Sequence, residues 1–374
     1  MLSFTPTSDT FVVEEVPAYV PSGQGEHTYL WIEKTDLTTF EAVRRIARAC
    51  DVDARDVGYA GMKDRHATTR QWLSIPRLDP ERALALAVDG VRVLDARRHG
   101  NKLRTGHLHG NRFEVVLTGA ADGDERVLGE RLQTLARDGL ANRYGDQRFG
   151  ATGENAAQGL AILRGERRER DQRRRRLLLS AAQSAVFNRY LELRGDSAWT
   201  ERGLPSEVLR GRVREPSEGS RYDMAGAREL RRVRAGDVLQ KSASGGLFVC
   251  VDVATDQARV DAGEIMPTGP MPGTRVMDPP PDSDAGQLEQ RALDAVGATR
   301  DDFARAGRDL PGARRPVIVN LELGEPAITA EPARGAIRVR FGLPAGSYAT
   351  VAIDCLLTHT VVAPTSGVDA NNLC

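Results

Sequence analysis

Residues 58–72 read Gly58-Tyr-Ala-Gly-Met-Lys-Asp-Arg-His-Ala-Thr-Thr-Arg-Gln-Trp72, and they join two segments that have the composition of β-strands. A weak strand pattern at 57–59 precedes Asp64, and a stronger pattern at 71–75 follows it and stops at Pro76. We therefore predict that Asp64 lies on a loop between two strands, where folds often present catalytic groups. The two glycines of this loop allow its backbone to approach a ligand closely.

Asp64 is surrounded in the sequence by cationic side chains, namely Lys63, Arg65, His66 and Arg70. Nearby positive charges favour the ionised form of a carboxylate. An ionised aspartate can act as a nucleophile, a base or a stabiliser of positive charge. A solvated surface turn has the same composition, so these residues alone leave both interpretations open.

The bulk composition indicates a folded protein with more than one domain. At 374 residues the chain has the length of two or three domains. Hydrophobic residues make up 40% and charged residues 28%, which provides packed cores and a solvated surface and excludes general disorder. The net charge is zero, which weighs against a nucleic-acid-binding protein unless the basic residues are clustered.

The cysteines and the hydropathy pattern indicate a cytoplasmic protein. The four cysteines, at 50, 250, 355 and 374, have neither metal-ligand nor redox spacing, so we expect reduced and mostly buried thiols, with Cys374 exposed at the terminus. The first residues lack the basic start and the apolar stretch of a signal peptide. No run of 18 apolar residues occurs, so we expect a soluble protein that spans no membrane.

Hydrophobic periodicity divides the chain into a body and an inserted region. After the first third, the composition becomes rich in arginine, and a long helix is predicted at 177–193. A stretch rich in Pro, Gly and Asp predicts a long loop or linker at 267–283. We therefore predict an α+β body from residues 1–138 and 316–374, interrupted by a second domain at 139–315.

Local patterns also predict individual elements. Thr38 and Glu41 have the spacing of a capping box, which begins a helix that runs to about Cys50. Pro344 suits a strand-to-helix junction, so a helix is predicted from there through Leu357, and the tail beyond His359 is predicted to be loose. The remaining predicted strands cover 11–16, 28–34, 91–96, 113–118, 317–323 and 337–341, and the remaining helices cover 125–137, 284–296 and 301–307.

Two stretches concentrate positive charge despite the neutral total. Residues 92–112 contain six lysines and arginines against one acid, and residues 143–176 contain ten arginines against five acids. Both stretches are predicted to contact nucleic-acid phosphates. For residues 164–176, a solvated helix face with Glu–Arg pairs explains the pattern equally well.

The stretch from Gly58 to Trp72 resembles the signature of the TruD family of tRNA pseudouridine synthases. In that family, a Gly-Tyr-Ala-Gly-hydrophobic-Lys-Asp-basic sequence leads into Thr-x-Gln-Trp, as it does here. Further segments resemble the family's blocks in the same order, so the resemblance spans residues 11 to 357. These segments are Phe11–Glu15, Gly23–His27, Gly110–Phe113, Asn142–Gly150, Leu179–Asn188 and Arg340–Thr350.

The resemblance implies an α+β fold in which a pseudouridine-synthase-type catalytic domain, built on a mixed or antiparallel sheet, is interrupted by an inserted α/β TRUD domain. It implies an isomerase that converts uridine 13 of tRNA into pseudouridine, with Asp64 as the catalytic carboxylate by its position in the motif. This chemistry involves no redox change, so neither a cofactor nor a metal is expected. The family suggests a monomer whose partner is tRNA. The sequence leaves open whether Asp64 attacks the sugar at C1′ or the uracil ring.

The other blocks supply candidates for substrate binding. The target base must leave its stack to be reached, and Phe113 is the candidate that stacks on it, with Phe341 or Tyr144 completing a sandwich. Asn111 is the candidate that reads a polar edge of the uracil or positions Asp64. Taken alone, Phe113 would be interpreted as a core residue at the start of a strand.

The basic partner of Asp64 is missing from its expected place. Family members often carry a basic residue just before the Phe-Val-x-Glu block, whereas the first ten residues have none here and Thr5 stands near that position. Lys63, Arg70 and Arg148 are the candidates that replace it in the substrate site. Arg148 is also a candidate for a phosphate contact, and a surface salt bridge is the alternative for it.

Two other functions are compatible with the sequence. One is an RNA-binding protein that has kept the fold and lost the activity, although the intact Asp64, Asn111 and Phe113 argue against it. The other is a hydrolase that acts on a glycosidic bond. Such an enzyme also needs a paired carboxylate as its acid, and no matched second acid stands out.

Overall fold

The computed structural model describes residues 2–150, 152–195 and 225–357, which form helices around one large sheet and two smaller ones and confirm the α+β class. The strands are β1 (Phe11–Pro17), β2 (His27–Thr35), β3 (Gly58–Tyr59), β4 (Thr68–Pro76), β5 (Val91–His99), β6 (Leu108–Thr118), β7 (Leu140–Ala141), β8 (Val238–Lys241), β9 (Leu247–Val249), β10 (Ile265–Met271), β11 (Ala313–Pro316), β12 (Ile318–Val319), β13 (Glu322–Glu331) and β14 (Ala336–Pro344). The helices are α1 (Thr39–Cys50), α2 (Pro80–Leu84), α3 (Asp124–Asp138), α4 (Asn155–Leu163), α5 (Gln172–Gly195), α6 (Ala225–Arg231), α7 (Val253–Asp261), α8 (Asp284–Ala295), α9 (Arg300–Arg305) and α10 (Ala349–Leu357).

The large sheet has eight strands within the described residues, in the order β13–β14–β6–β1–β4–β2–β5, with β3 beside β4. β1 and β4 run parallel, and the other neighbouring strands run antiparallel. This is the mixed sheet that the resemblance implied. Its strands come from both ends of the described chain, so the segment between them forms the rest of the molecule.

One face of the large sheet is apolar and covered by helices. Because side chains alternate along a strand, Val13, Phe113 and Phe341 share this face, where they pack in one core with α3 and α10. Ile32 and Leu73 share the same face further along, where they pack against α1. Each fully buried side chain of this kind contributes about 1.5–3 kcal/mol, so these two cores hold the sheet and its helices together. The opposite face carries arginine–carboxylate pairs between neighbouring strands.

The predicted capping box at the start of α1 is confirmed. The Thr38 hydroxyl accepts a hydrogen bond from the Glu41 N–H over 3.2 Å, and the Glu41 carboxylate accepts one from the Thr38 N–H over 2.8 Å. The helix ends at Cys50, and Asp51 follows in the left-handed conformation. This fixed start matters for the site, because the first residue of the helix, Thr39, contacts the Asp64 loop.

The region between the two halves of the large sheet has a core of its own. Its long helix α5 is buried over most of its length and packs with α4, α8 and β10. A fully buried ion pair at 2.7 Å between Arg194 of α5 and Asp237 ties the helix to the start of the four-stranded sheet β11–β10–β8–β9. A separate core is characteristic of a domain. The boundaries at residues 139 and 316 stay a prediction.

The prediction of a long loop at 267–283 was wrong in its first part, because β10 occupies Ile265–Met271. Two prolines, which have no N–H to donate to a neighbouring strand, suggested a loop. In the sheet, however, Pro267 lies opposite Leu239 of β8, and Pro270 lies opposite Arg314 of β11. The carbonyl of Pro267 also accepts a hydrogen bond from the Val317 N–H over 3.0 Å, just beyond the end of β11, so Pro267 joins the sheet as an acceptor without needing an N–H. Pro270 lies beyond the part of β10 that pairs with β8.

Two predicted boundaries near the end of the body were also wrong. The strand predicted at 317–323 is divided into β12 and β13, because the first pairs with β7 and the second with β14 in different sheets. The helix predicted from Pro344 begins only at Ala349. Pairing of β14 with β6 continues to Pro344, and a turn with Gly346 at φ +83° then precedes α10.

Cys50 and Cys250 are buried and Cys355 is partly buried, and all three are free thiols as predicted. Cys374 and the tail beyond His359 lie outside the described residues. Across the described ranges, no helix combines the length and the apolar character that a membrane crossing requires.

Candidate active site

The loop that carries Asp64 connects β3 to β4, as predicted, and side chains from the surrounding elements hold its backbone. Gln71 Nε2 donates a hydrogen bond to the Gly61 carbonyl over 3.2 Å, and the Lys63 N–H donates to Thr39 Oγ1 over 2.9 Å. The Thr39 hydroxyl donates in turn to Gln71 Oε1 over 3.0 Å. These bonds fix the backbone before Asp64, while the Asp64 side chain is exposed.

Lys34 on β2 holds the backbone of Asp64 itself, although it was not among the predicted site residues. Its side chain is fully buried, and its ammonium donates to the Asp64 carbonyl over 2.9 Å and to the Leu37 carbonyl over 2.5 Å. Burial lowers the pKa of Lys34 to about 8, and the negative charge of Asp64 opposes this shift. A signal was present in the sequence, because the alternation of β2 buries Leu30, Ile32 and then Lys34 on one face.

Lys63 forms an ion pair with Glu15 of β1, at 2.9 Å between Nζ and Oε2. The two side chains are only 4% and 1% exposed. Burial raises the pKa of Glu15, and the positive charge of Lys63 opposes this. Glu15 lies two residues after Val13 in β1, so both side chains are on the helix-covered face. The Glu15–Lys63 ion pair therefore anchors the Asp64 loop to that face of the sheet.

The carboxylate of Asp64 makes no ion pair with any residue in the described parts of the chain. Solvent reaches it, yet the walls of the site remove much of its hydration, and this desolvation raises the pKa of Asp64. The charges of Lys34, Lys63 and His66 offset the shift only in part. The sequence neighbours Lys63 and His66 thus favour the ionised form of Asp64, as expected, but desolvation outweighs them and the net shift of the pKa is upward. Arg65 is paired with a carboxylate of α1.

Arg70 is not brought to Asp64 either. Its neighbours Thr69 and Gln71 are buried on the helix-covered face, so the Arg70 side chain lies on the opposite, charged face of the sheet. Its Nε is 2.9 Å from a carboxylate oxygen of Glu33, and its NH1 is 3.3 Å from one of Glu14. Among the basic residues that the structure describes, Lys34 is therefore the one whose side chain donates a hydrogen bond to Asp64, at its backbone carbonyl.

Asn111 lies next to the anchoring ion pair. Its register partners are Glu15 on β1 and Leu343 on β14, so its side chain shares the helix-covered face. Its Oδ1 atom is buried and has no hydrogen-bond partner among the residues that the structure describes. Buried polar atoms are normally hydrogen-bonded, and an exception beside a candidate catalytic loop is a place where a ligand can bind.

Phe113 follows Asn111 on the same face and is 7% exposed. Its ring stacks on that of Phe11, with centroids 6.1 Å apart and planes at 10°, and it is tilted against Phe341 at 5.5 Å. Phe341 is 1% exposed, so its ring supports Phe113 from within the core. The contact of either ring with a base stays a prediction.

Tyr144 belongs to a second cluster, where the inserted region meets the end of the body. The guanidinium of Arg315 lies 4.2 Å from the centre of its ring, and the ring of Tyr348 is 5.6 Å away. Arg315 also donates to the Gly346 carbonyl over 2.9 Å. Burial raises the pKa of Tyr348, and the charge of Asp64 adds to that shift, so this cluster borders the Asp64 site. Neither Arg315 nor Tyr348 was among the predicted site residues, although Tyr348 lies within the Arg340–Thr350 block.

Arg148 is part of the same cluster. Its guanidinium lies 5.3 Å from the centre of the Tyr144 ring and donates hydrogen bonds to Ser184, over 3.1 Å, and to Ser180. It makes no ion pair with an acid in the described ranges, Asp64 included. The guanidinium is therefore held in place without being neutralised, which suits a phosphate contact.

The two basic stretches differ in how much of their charge is neutralised. In residues 92–112, four arginines pair with acids, whereas Lys102 and Arg104 form no ion pair with a described residue. In residues 143–176, four arginines pair with Glu169 or Asp309. Ion pairs with described residues thus involve four of the six cations of the first stretch and four of the ten arginines of the second. The solvated-pair interpretation of residues 164–176 applies to four of the eight arginines of that segment.

Comparison with known proteins covers both parts of the fold. A family model described as tRNA pseudouridine synthase D (TruD) matches residues 4–170 and 222–354. A tRNA pseudouridine synthase D from Anaeromyxobacter dehalogenans is 43% identical over 350 residues, which cover 92% of this chain and 89% of that protein. One from Geobacter metallireducens is 36% identical over 411 residues, which cover 93% and 92%.

A crystal structure of a TruD protein from Methanosarcina mazei is similar in fold. It matches with a TM-score of 0.65 at 19% sequence identity, over 95% of this chain and 94% of that one. At this identity, the likeness supports the architecture of the mixed sheet and its interruption. The sequence matches decide the family, and this chain belongs to the tRNA pseudouridine synthase D family.

Proposed function

We propose that this chain converts uridine 13 of tRNA into pseudouridine and that Asp64 is the catalytic carboxylate. The observation that carries the proposal is the contrast within the Asp64 loop. The backbone is held by Lys34, Thr39 and Gln71, whereas the Asp64 carboxylate is exposed and has no ion pair with a described residue. A rigid backbone under a free nucleophilic side chain is the arrangement that preorganised catalysis requires.

The reaction is an isomerisation in which atoms and electrons balance within the substrate. The bond between N1 of uracil and C1′ of the sugar breaks, the base turns, and a bond forms between C5 and C1′. The proton that leaves C5 is matched by the one that N1 gains. Asp64 either forms a covalent adduct at C1′ or attacks the uracil ring, and both routes need its ionised form.

Asn111 and Phe113 are proposed to hold the uracil after it has left the helix stack. The unpartnered Oδ1 of Asn111 can accept a hydrogen bond from the N3–H of uracil, a donor that is free once the base is unpaired. The ring of Phe113, supported by Phe11 and Phe341, supplies an apolar surface beside it. Phe113 is 7% exposed, so the proposed contact with the base is at the exposed edge of its ring.

The tRNA is proposed to lie between the body and the inserted domain of a cytoplasmic monomer, with domain boundaries near residues 139 and 316. Support comes from the cluster of Tyr144, Arg148, Arg315 and Tyr348, which joins the two parts beside Asp64. Arg148 would neutralise a backbone phosphate there. A positively charged boundary between two parts suits recognition of a folded RNA through its shape and phosphates.

The test is to incubate the full chain with an unmodified tRNA transcript and to map pseudouridine by carbodiimide adducts and primer extension. We expect a stop at position 13 with the wild type and none with Asp64→Asn. Asp56→Asn, a change of the same chemistry at an exposed site, is the control and is expected to leave the stop in place. Absence of pseudouridine with the wild type, or full activity of Asp64→Asn, would overturn the proposal.

A further inference from the structure

A cavity of about 470 Å³ lies beside the loop between β5 and β6. Its walls include Tyr19, His99, Lys102, Arg104 and His107 and contain no carboxylate. It is formed by a part of the body that none of the candidate residues above occupies. The cavity is therefore separate from the candidate residues around Asp64, and its lining has the chemistry of an anion-binding pocket.

Hydrogen bonds and ring stacking hold the aromatic side chains in the walls of this pocket in place. The Tyr19 hydroxyl is 2.7 Å from His107 Nδ1 and 3.2 Å from the hydroxyl of the buried Tyr29. The rings of Tyr19 and His99 are stacked, with centroids 5.2 Å apart and planes at 23°. The Ser22 N–H donates to His99 Nδ1 over 3.2 Å, which leaves Nε2 of His99 to carry the ring proton.

The positive charge of the pocket is not compensated within the described parts of the chain. The four paired arginines of residues 92–112 are bound to acids, but Lys102 and Arg104 are not. Lys102 Nζ donates to the Arg55 carbonyl over 2.6 Å, which positions the ammonium without neutralising it. The held ammonium of Lys102 and the exposed guanidinium of Arg104, with no acid in the wall, favour a ligand that brings negative charge.

The pocket is joined rigidly to the Asp64 loop. A Cβ atom at Gly58 would lie 2.3 Å from the Leu103 carbonyl oxygen, so only glycine lets the two segments approach this closely. The Gly106 N–H also donates to the Ala60 carbonyl over 2.8 Å. Ala60 precedes Asp64 by four residues, which span at most roughly 14 Å. The segment that forms the pocket wall is thus in direct contact with the segment that leads into Asp64.

We propose that this pocket binds a backbone phosphate of the tRNA near the target uridine, through Lys102 and Arg104. This inference rests on the proposed function for the identity of the RNA. The pocket would align the strand so that the target nucleotide reaches Asp64. A free phosphate ion has the same chemistry, and the experiment distinguishes it from the RNA backbone.

The test compares Lys102→Gln, Arg104→Gln and the double variant with the wild type, and it uses Arg48→Gln as the control for loss of an exposed charge elsewhere. Affinity for a fluorescently labelled tRNA transcript is measured from 50 to 300 mM KCl, together with kcat and KM for pseudouridine formation. Each lost phosphate contact lowers the slope of log Kd against log salt by about 0.7–0.9. We expect a slope lower by about 1–2 and a KM about tenfold higher in the double variant, with kcat within about twofold.

The proposal is overturned if the double variant has the same salt slope and KM as Arg48→Gln. A second outcome also overturns it. Inorganic phosphate at constant ionic strength would raise the Tm of the wild type but not of the double variant, while the double variant would bind tRNA as tightly as the wild type does. The pocket would then bind the free ion and not the RNA backbone. The salt dependence of tRNA affinity tests the phosphate contact in the pocket even if the wild type forms no pseudouridine. Failure of the pocket and failure of the proposed function are therefore separate outcomes.

Discussion

The ammonium of Lys34 donates a hydrogen bond to the backbone carbonyl of Asp64 over 2.9 Å, from a strand thirty residues earlier in the chain. The lysine is fully buried, and its other bond, to the Leu37 carbonyl, keeps it in place. It thus holds the backbone of the candidate catalytic residue and forms no ion pair with the Asp64 carboxylate. Lys34 therefore supplies a positive charge beside Asp64, whereas the first ten residues contain no basic side chain and have Thr5 near the position where the family often carries one.

We expect Lys34→Met to lower kcat by about 10- to 100-fold, because a hydrogen bond from a charged donor contributes about 1.5–3 kcal/mol. The pKa of Lys34, lowered to about 8, adds a pH signature. In the wild type, kcat should fall as the pH rises through 8 and the ammonium deprotonates, whereas the profile of Lys34→Met should be flat there. A fall of equal size in both proteins would contradict this role.

The stability of the wild type should change in the opposite direction over the same range. The pKa of Lys34 is about 8 in the folded state and 10.5 in its ordinary state, so between these values the unfolded chain binds the extra proton. Stability therefore rises with pH, and the cost of burying the charged form, about 3 kcal/mol, is relieved between pH 8 and 10.5. Urea unfolding at pH 7.5 and 9.5 measures this change, and Lys34→Met removes it.

Asp64→Asn should abolish activity, by at least about a thousandfold, while slightly stabilising the protein at neutral pH. Desolvation raises the pKa of Asp64, so its ionised form is disfavoured in the folded state, and this cost is absent from an amide. We expect the Tm to rise on the order of 1 °C at pH 7 and the difference to shrink as the pH falls and Asp64 is protonated. In the active enzyme, kcat/KM should begin to fall at a higher pH than an ordinary aspartate would cause.

Asn111→Leu should reduce kcat/KM by about 10- to 100-fold without loss of stability. The buried Oδ1 of Asn111 has no partner among the described residues, so its removal takes away a desolvation cost of about 1–3 kcal/mol. Asn142→Leu is the contrasting control, since Asn142 bonds to the Pro316 carbonyl and to Arg315 and its loss should destabilise. Equal destabilisation by both changes in urea would show that Asn111 is an ordinary structural amide.

The pair of Glu15 and Lys63 should behave as a structural unit. Glu15→Gln or Lys63→Met alone leaves a buried charge without its partner, which destabilises by about 3–5 kcal/mol. The double variant should recover much of that loss. Urea unfolding of the four proteins gives the coupling energy, and the exposed pair of Arg126 and Glu130 serves as the control, with an expected coupling below about 0.5 kcal/mol.

Arg315→Lys should lower kcat several-fold and change the KM for tRNA little. Lysine keeps the charge but loses the planar stacking on Tyr144 and the forked bonds to the Gly346 carbonyl and Asn142. The segment that carries Tyr348 would then be less well placed beside Asp64. Arg308→Lys, at an exposed position, is the matched control, and a rise in KM alone would assign Arg315 to RNA binding instead.

Much of the fold was predictable because it depends on neighbours in the sequence. The capping box of α1, the alternation of β1 and β2, and the loop between β3 and β4 are local patterns, and the structure shows them where they were expected. Predictions were wrong where pairing partners decide the outcome. Pro267 and Pro270 are tolerated in β10 because of which strands lie on each side, and no local pattern contains that information.

The sequence by itself determined that Asp64 stands on a glycine-containing loop between strands, and its resemblance to the family made Asn111 and Phe113 candidates for substrate binding. The strand register places both on one face of β6. Only the tertiary structure decided the partners. Lys34 and Lys63 are 30 and 48 residues away from the Asp64 carbonyl and the Glu15 carboxylate that they bind. Strand register sets these contacts, and it sends Arg70 to the opposite face of the sheet. The electrostatic environment of Asp64 is therefore a property of the fold, because burial and distance, rather than adjacency in the chain, govern the interaction of charges.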